Sequence, residues 1–145
     1  MEEQLLGRKR LEQDTRRIRT LIPQFVPLTT QLTSTDFTLD TFSTTAKTLL
    51  DLSSAFSAPA GIRAAVFKAR IFDSGSAAGT CYLILSPNNT AGEGQNIECS
   101  GLPNSVATSG CLVVPCDANG DIYYQIGASG AGTMTITLEI WAYWL

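Results

Sequence analysis

The chain contains no histidine. That removes the side chain most often used as a general base or nucleophile activator near neutral pH, and the commonest metal ligand. Cysteine is present four times, at Cys81, Cys99, Cys111 and Cys116, but never as a Cys-x-x-Cys pair. Zinc would therefore need all four thiolates at an unusual spacing, and no metal or cofactor is expected. Free buried cysteine, in practice a small apolar residue, is the expected state, and a disulfide such as Cys99–Cys111 is open to the chain only in an oxidising place. No segment approaches the ~18 apolar residues of a spanning helix, and the first 20 residues lack the apolar run of a signal peptide. Synthesis in the cytosol without general secretion, and no membrane contact, are the expectations. Charged residues make up 16 %, below the roughly 25 % usual for soluble proteins. The formal net charge of −3 leaves no basic footprint for nucleic acid.

What the chain does have is 145 residues with 44 % hydrophobic content, enough for one domain with a real core. Threonine, serine and glycine take the place of charge, a composition suited to β-structure with many turns. The charge is unevenly divided. Residues 1–22 hold six basic and four acidic side chains; the remainder holds four basic and nine acidic ones. Three segments follow: a helix over 1–22, an extended Thr/Ser-rich connector with short strands over 23–57, and a β-rich body over 58–145.

Glu2 and Glu3 open the helix and Arg16, Arg17 and Arg19 close it, both in accord with the helix dipole. Pro23 stops it. Its apolar positions include Leu5, Leu11, Ile18, Leu21 and Ile22, but Asp14 and Thr15 interrupt the seam. So polar a helix is marginal alone in water; docking on another protein suits it better than bundling with its own copies.

In the connector, Val26, Leu28, Thr30 and Leu32 alternate, as do Phe37 and Leu39, and Thr48 to Leu52 carries Leu49 and Leu50; these predict edge strands. Strand patterns then run over Ile62–Phe72, Cys81–Leu85, Cys111–Cys116, Asp121–Ile126 and Thr133–Trp144. Ala65, Phe67, Ala69 and Ile71 share one face of the first; Met134, Ile136, Leu138 and Ile140 share one face of the last. Asn119-Gly120 between two apolar runs predicts a hairpin. Gly-rich turns and no second helix pattern give a mainly β fold: an antiparallel β-sandwich, jelly-roll-like, preceded by one N-terminal α-helix.

Catalytic candidates are few. The body acids Asp73, Glu93, Glu98, Asp117, Asp121 and Glu139 mostly fall in predicted turns, where solvation explains them. Asp117-Ala-Asn119-Gly-Asp121 opens like a calcium loop, but the sixth and twelfth positions are Ile122 and Ala128 instead of glycine and glutamate. Asn88-Asn89-Thr90 is a glycosylation sequon, read as the polar tip of a loop. The loops at 86–94 and 101–110 are where a ligand-binding edge would lie, and a carbohydrate-binding, lectin-like module using them is the alternative to a structural role.

The aromatic end carries the strongest signal. Trp141, Tyr143, Trp144 and Leu145 finish the last strand, and large aromatics are seldom left exposed. They either complete the chain's own core or form a subunit interface, where tryptophan and tyrosine are favoured. Apolar residues on both faces of the tip favour the interface.

Together these patterns resemble small tailed-phage virion proteins, especially fibre and head-decoration subunits. A short N-terminal helix precedes a body in which Asp51-Leu52-Ser53-Ser54 leads through Pro59-Ala60-Gly61 into a long strand, and the chain closes on Ile140-Trp141-Ala142-Tyr143-Trp144-Leu145. The resemblance implies a non-enzymatic structural protein of the virion, homotrimeric. The helix would attach it to other virion proteins and the body would project, with host attachment or a surface glycan as its further partner. It brings no catalytic residues.

Overall fold

The computed structural model describes residues 2–34, 39–41 and 46–145; at residues 2, 3, 15–21 and 39–41 it describes the backbone alone. The chain is mainly β. Helix α1 (Glu2–Leu21) leads into strands β1 (Phe25–Thr33), β2 (Leu39–Thr41) and β3 (Thr48–Leu50), and a one-turn helix α2 (Leu52–Phe56) follows. Then come β4 (Ala64–Asp73), β5 (Tyr82–Ser86), β6 (Gln95–Glu98), β7 (Thr108–Pro115), β8 (Ile122–Gly127) and β9 (Met134–Trp144). All pairings are antiparallel. One sheet has the order β1-β9-β4-β7, with β2 also on β9; the other has the order β3-β8-β5-β6.

Period-2 alternation explains the long strands. Ala65, Phe67, Ala69 and Ile71 of β4 are fully buried, as are Met134, Ile136 and Ile140 of β9, while Lys68 and Arg70 are exposed. Leu83, Leu85, Ile122 and Ile126 of the second sheet join the same hydrophobic cluster, so the two sheets share one core. Residues 23–57 supply edge strands to both sheets: β1 pairs with β9 and β3 with β8. Phe37 lies outside the described residues.

Two local expectations fail. Helix α2 has no sequence pattern long enough to show. The Asp51 carboxylate caps it by accepting the Ser54 N–H at 2.9 Å, and Leu52 and Phe56 enter the core. The Asn119-Gly120 turn does not close a hairpin, because β7 belongs to one sheet and β8 to the other. Asp117 closes this turn on itself, accepting the Asn119 N–H at 2.8 Å and the Asp121 N–H at 3.0 Å. Gly120, at φ +92°, packs where a Cβ would lie 2.9 Å from the Gly61 amide nitrogen. Asp121 Oδ1 also accepts the Leu52 N–H at 3.2 Å, and from this turn the chain crosses between sheets.

Candidate functional site

The last strand contains a β-bulge that decides which face each terminal aromatic takes. Val66 opposes Ala142 and Phe67 opposes Ile140, so Trp141 is the extra residue on β9. One inserted residue reverses the alternation beyond it. Ile140 faces the core, and after the bulge Tyr143, opposite the buried Ala65, faces inward too. Ala142 and Trp144 are turned to the outer face. Apolar residues on both faces of the tip thus follow from the bulge.

The structure divides the four terminal residues. Tyr143 is 9 % exposed and packs in the chain's own core. Trp141 is exposed, its indole N–H donating to Glu139 Oε2 at 3.0 Å; that oxygen lies 3.7 Å from the Lys68 ammonium. Trp144 is half-buried against Phe25, and Leu145 is exposed, its backbone paired in both directions with Gln24.

Around Trp144 the outer face of the first sheet is apolar across its four main strands. Phe25, Trp144, Ala64 and Pro115 stand opposite one another in one row. Pro27, Ala142, Val66 and Val113 form the next. Residues directly opposite in antiparallel strands point to the same side, so these eight make a continuous two-row grid. Phe25 is 53 % and Val113 51 % exposed. Farther along the same face the residues turn polar, with the Lys68–Glu139 ion pair, Arg70 and Thr137. The sequence carries this grid as a repeated signal: Phe25-x-Pro27, Ala64-x-Val66, Val113-x-Pro115 and Ala142-x-Trp144. Strand patterns taken singly do not reveal it, because the strand ends must first be aligned. The prolines on β1 and β7 lack an N–H donor and stand on the sheet's two outer strands, which discourages edge pairing there. On the face itself Phe25, Pro27, Val113 and Pro115 are exposed, Ala64, Val66 and Trp144 are half-buried and Ala142 is buried among them.

Helix α1 and the residue after it also expose single apolar side chains. Leu5 and Leu11 are 60 % and 68 % exposed, and Ile22 is also exposed. The side chains of Ile18 and Leu21 lie outside the described residues.

The remaining polar clusters serve the fold. Asp73 is fully buried, yet its carboxylate accepts the Gly75 N–H at 2.7 Å, the Ser129 N–H at 3.0 Å, the Thr133 hydroxyl at 2.9 Å and the Ser129 hydroxyl. Burial pushes its pKa up; the hydrogen bonds, led by those from Ser129, outweigh this and hold it at about 2. Lys47 is buried on the chain leading into β3, donating to Ser86 Oγ and the Glu93 carbonyl and lying 3.5 Å from the Asn88 carbonyl. Burial lowers its pKa, against a raising influence from Glu93. These bonds tie down the 86–94 loop, which Gln125 Oε1 also holds by accepting the Gly92 N–H at 3.0 Å. The 101–110 segment lies beyond the other end of β6. Ser76 Oγ donates to the Leu102 carbonyl at 3.0 Å, Ser105 N–H donates to the Asp73 carbonyl at 2.9 Å, and Thr108–Gly110 already belongs to β7. The two loops proposed as one sugar-binding edge are thus anchored at opposite ends of a strand. Among the described residues no three His, Cys, Asp or Glu side chains are grouped to hold a metal ion.

No protein-family model and no curated protein matches this chain.

Proposed function

We propose that the chain is a self-assembling, non-enzymatic structural subunit. Its two sheets act as a jelly-roll sandwich that docks on further copies of itself through the grid around Phe25, Trp144, Val66 and Val113. The grid carries this reading: it is contiguous, it crosses a whole sheet, and its most exposed members are large and apolar. Such a face ordinarily marks an interaction site. The strand orders β1-β9-β4-β7 and β3-β8-β5-β6 support the jelly-roll reading, since chain neighbours β3/β4, β4/β5, β6/β7 and β7/β8 alternate between sheets, as paired Greek keys require. A second copy is the favoured occupant because α1 leads into β1 beside the grid. Gln24 pairs with Leu145 at this edge, so copies packed around one common axis with this face turned inward would carry their helices on the same side, where a further protein can receive them.

The sequence's resemblance to phage fibre and decoration subunits supports reading the assembly as a trimer on a virion, with α1 contacting other virion proteins through Leu5 and Leu11. Phe25→Glu with Val113→Glu tests the docking face. Both side chains are half exposed, so the variant should fold and run as a single chain. An oligomer of unchanged mass would remove the grid from the interface. Deleting residues 1–22 tests attachment: the body should stay folded but fail to join particles, and undiminished incorporation would refute the role of α1.

A further inference from the structure

Cys81 and Cys99 lie opposite each other where β5 and β6 meet the core. The β5–β6 register sets Tyr82 against Glu98 and Leu83 against Ile97. One step further it sets Cys81 against Cys99, and the Cys99 N–H donates to the Cys81 carbonyl at 2.9 Å. Both side chains are buried in the shared core, and the two thiols are close enough to influence each other's titration. The Cys81 N–H donates to Ser100 Oγ at 2.8 Å, so the two residues share one backbone bond; directly opposed antiparallel residues hold their Cα atoms about 4.5–5.5 Å apart, inside the roughly 4.4–6.8 Å that a disulfide spans. Cys111, by contrast, is exposed on β7, so the structure does not bring a Cys99–Cys111 pair together.

We propose that Cys81 and Cys99 are a disulfide-forming site that staples the β5–β6 hairpin when the chain folds in the presence of a small disulfide. This inference stands independently of the assembly reading. The chemistry is thiol–disulfide exchange. The thiolate of one cysteine attacks an oxidised glutathione molecule, forming a mixed disulfide and releasing one reduced glutathione. The second thiolate attacks the protein sulfur of that mixed disulfide and releases another. The cysteine pair loses two electrons to the external disulfide, and its two protons end on the released thiols. In the folded chain burial pushes the Cys81 thiol up to about 11, with Asp73 adding to the effect, and raises Cys99 as well. Thiolate is therefore scarce once the core has closed. The bridge forms while the strands are still opening and closing, and forms slowly in the finished fold.

The test refolds the full chain in a mixture of reduced and oxidised glutathione, then alkylates the remaining thiols under denaturing conditions. Intact mass and peptide mapping should show a Cys81–Cys99 linked peptide with alkyl groups only on Cys111 and Cys116. The linkage should be absent from Cys81→Ser, and a phosphine reductant should lower the wild-type thermal midpoint. Reduced, already folded protein held in the same mixture should acquire the bridge more slowly. Full alkylation of Cys81 and Cys99 in both preparations, or a bridge that uses Cys111 or Cys116 instead, would overturn the proposal.

Discussion

Phe25 and Trp144 face each other across the β1–β9 ladder with ring centroids 4.8 Å apart and planes tilted by 50°. The pair fastens the first strand of the body to the last, next to the hydrogen bonds between Gln24 and Leu145. An aromatic pair of this kind contributes roughly 0.5–1.5 kcal/mol beyond the area it buries. Trp144→Ala should therefore destabilise the chain by about 1–3 kcal/mol in urea unfolding. Trp141→Ala, at the exposed bulge, should cost under about 1 kcal/mol. Equal losses at the two positions would mean that the bulge does not divide their roles.

Asp73 predicts the shape of acid unfolding. Its carboxyl sits at about 2 in the fold against an ordinary 3.8, so the unfolded chain binds the proton more tightly. Its stabilisation is full above pH 4, declines as the pH falls toward 2 and is lost below that. The contribution is on the order of 2 kcal/mol, at about 1.4 kcal/mol per pH unit. Asp73→Asn should lower stability at pH 7 by about that much or more and flatten the slope between pH 4 and 2. An unchanged slope, measured by denaturant unfolding across this range, would show that Ser129, Gly75 and Thr133 do not hold the charge.

Lys47 predicts the order of the 86–94 loop. Lys47→Met keeps much of the apolar stem but removes the donor shared by Ser86 and the Glu93 carbonyl. Amides of residues 88–93 should lose hydrogen-exchange protection, with a cost of about 1–3 kcal/mol for the acceptors left unpaired. Protection unchanged in this loop would show that Lys47 does not order it.

Periodicity made the long strands legible. In β4 and β9 the alternation of Ala65, Phe67, Ala69, Ile71 and of Met134, Ile136, Leu138, Ile140 is uninterrupted, and those residues form the core. The extent of α1 was legible because Pro23 punctuates it. Strand β6 was not, since Gln-Asn-Ile-Glu carries one apolar residue and is ordered by pairing with β5. Helix α2 was too short to show a period. The Asn119-Gly120 signal marks a turn but not a hairpin, because pairing is decided by which sheet each flanking strand can enter. Of the four terminal residues singled out by type, Trp144 stands in the apolar grid, while Trp141 and Leu145 are exposed outside it. Tyr143 could not be separated from them, because the bulge that turns it inward is visible only against Val66 and Phe67. Phe25, Pro27, Val66 and Val113 were hidden because their shared face depends on the register of β1, β9, β4 and β7 together.

Self-association through the outer face of the first sheet is most directly tested by the mass of the full chain in solution. Sedimentation equilibrium at micromolar concentration should give three times the 15.5 kDa of one chain, falling to a single chain for Phe25→Glu with Val113→Glu. A wild-type mass of 15.5 kDa at that concentration would contradict the account.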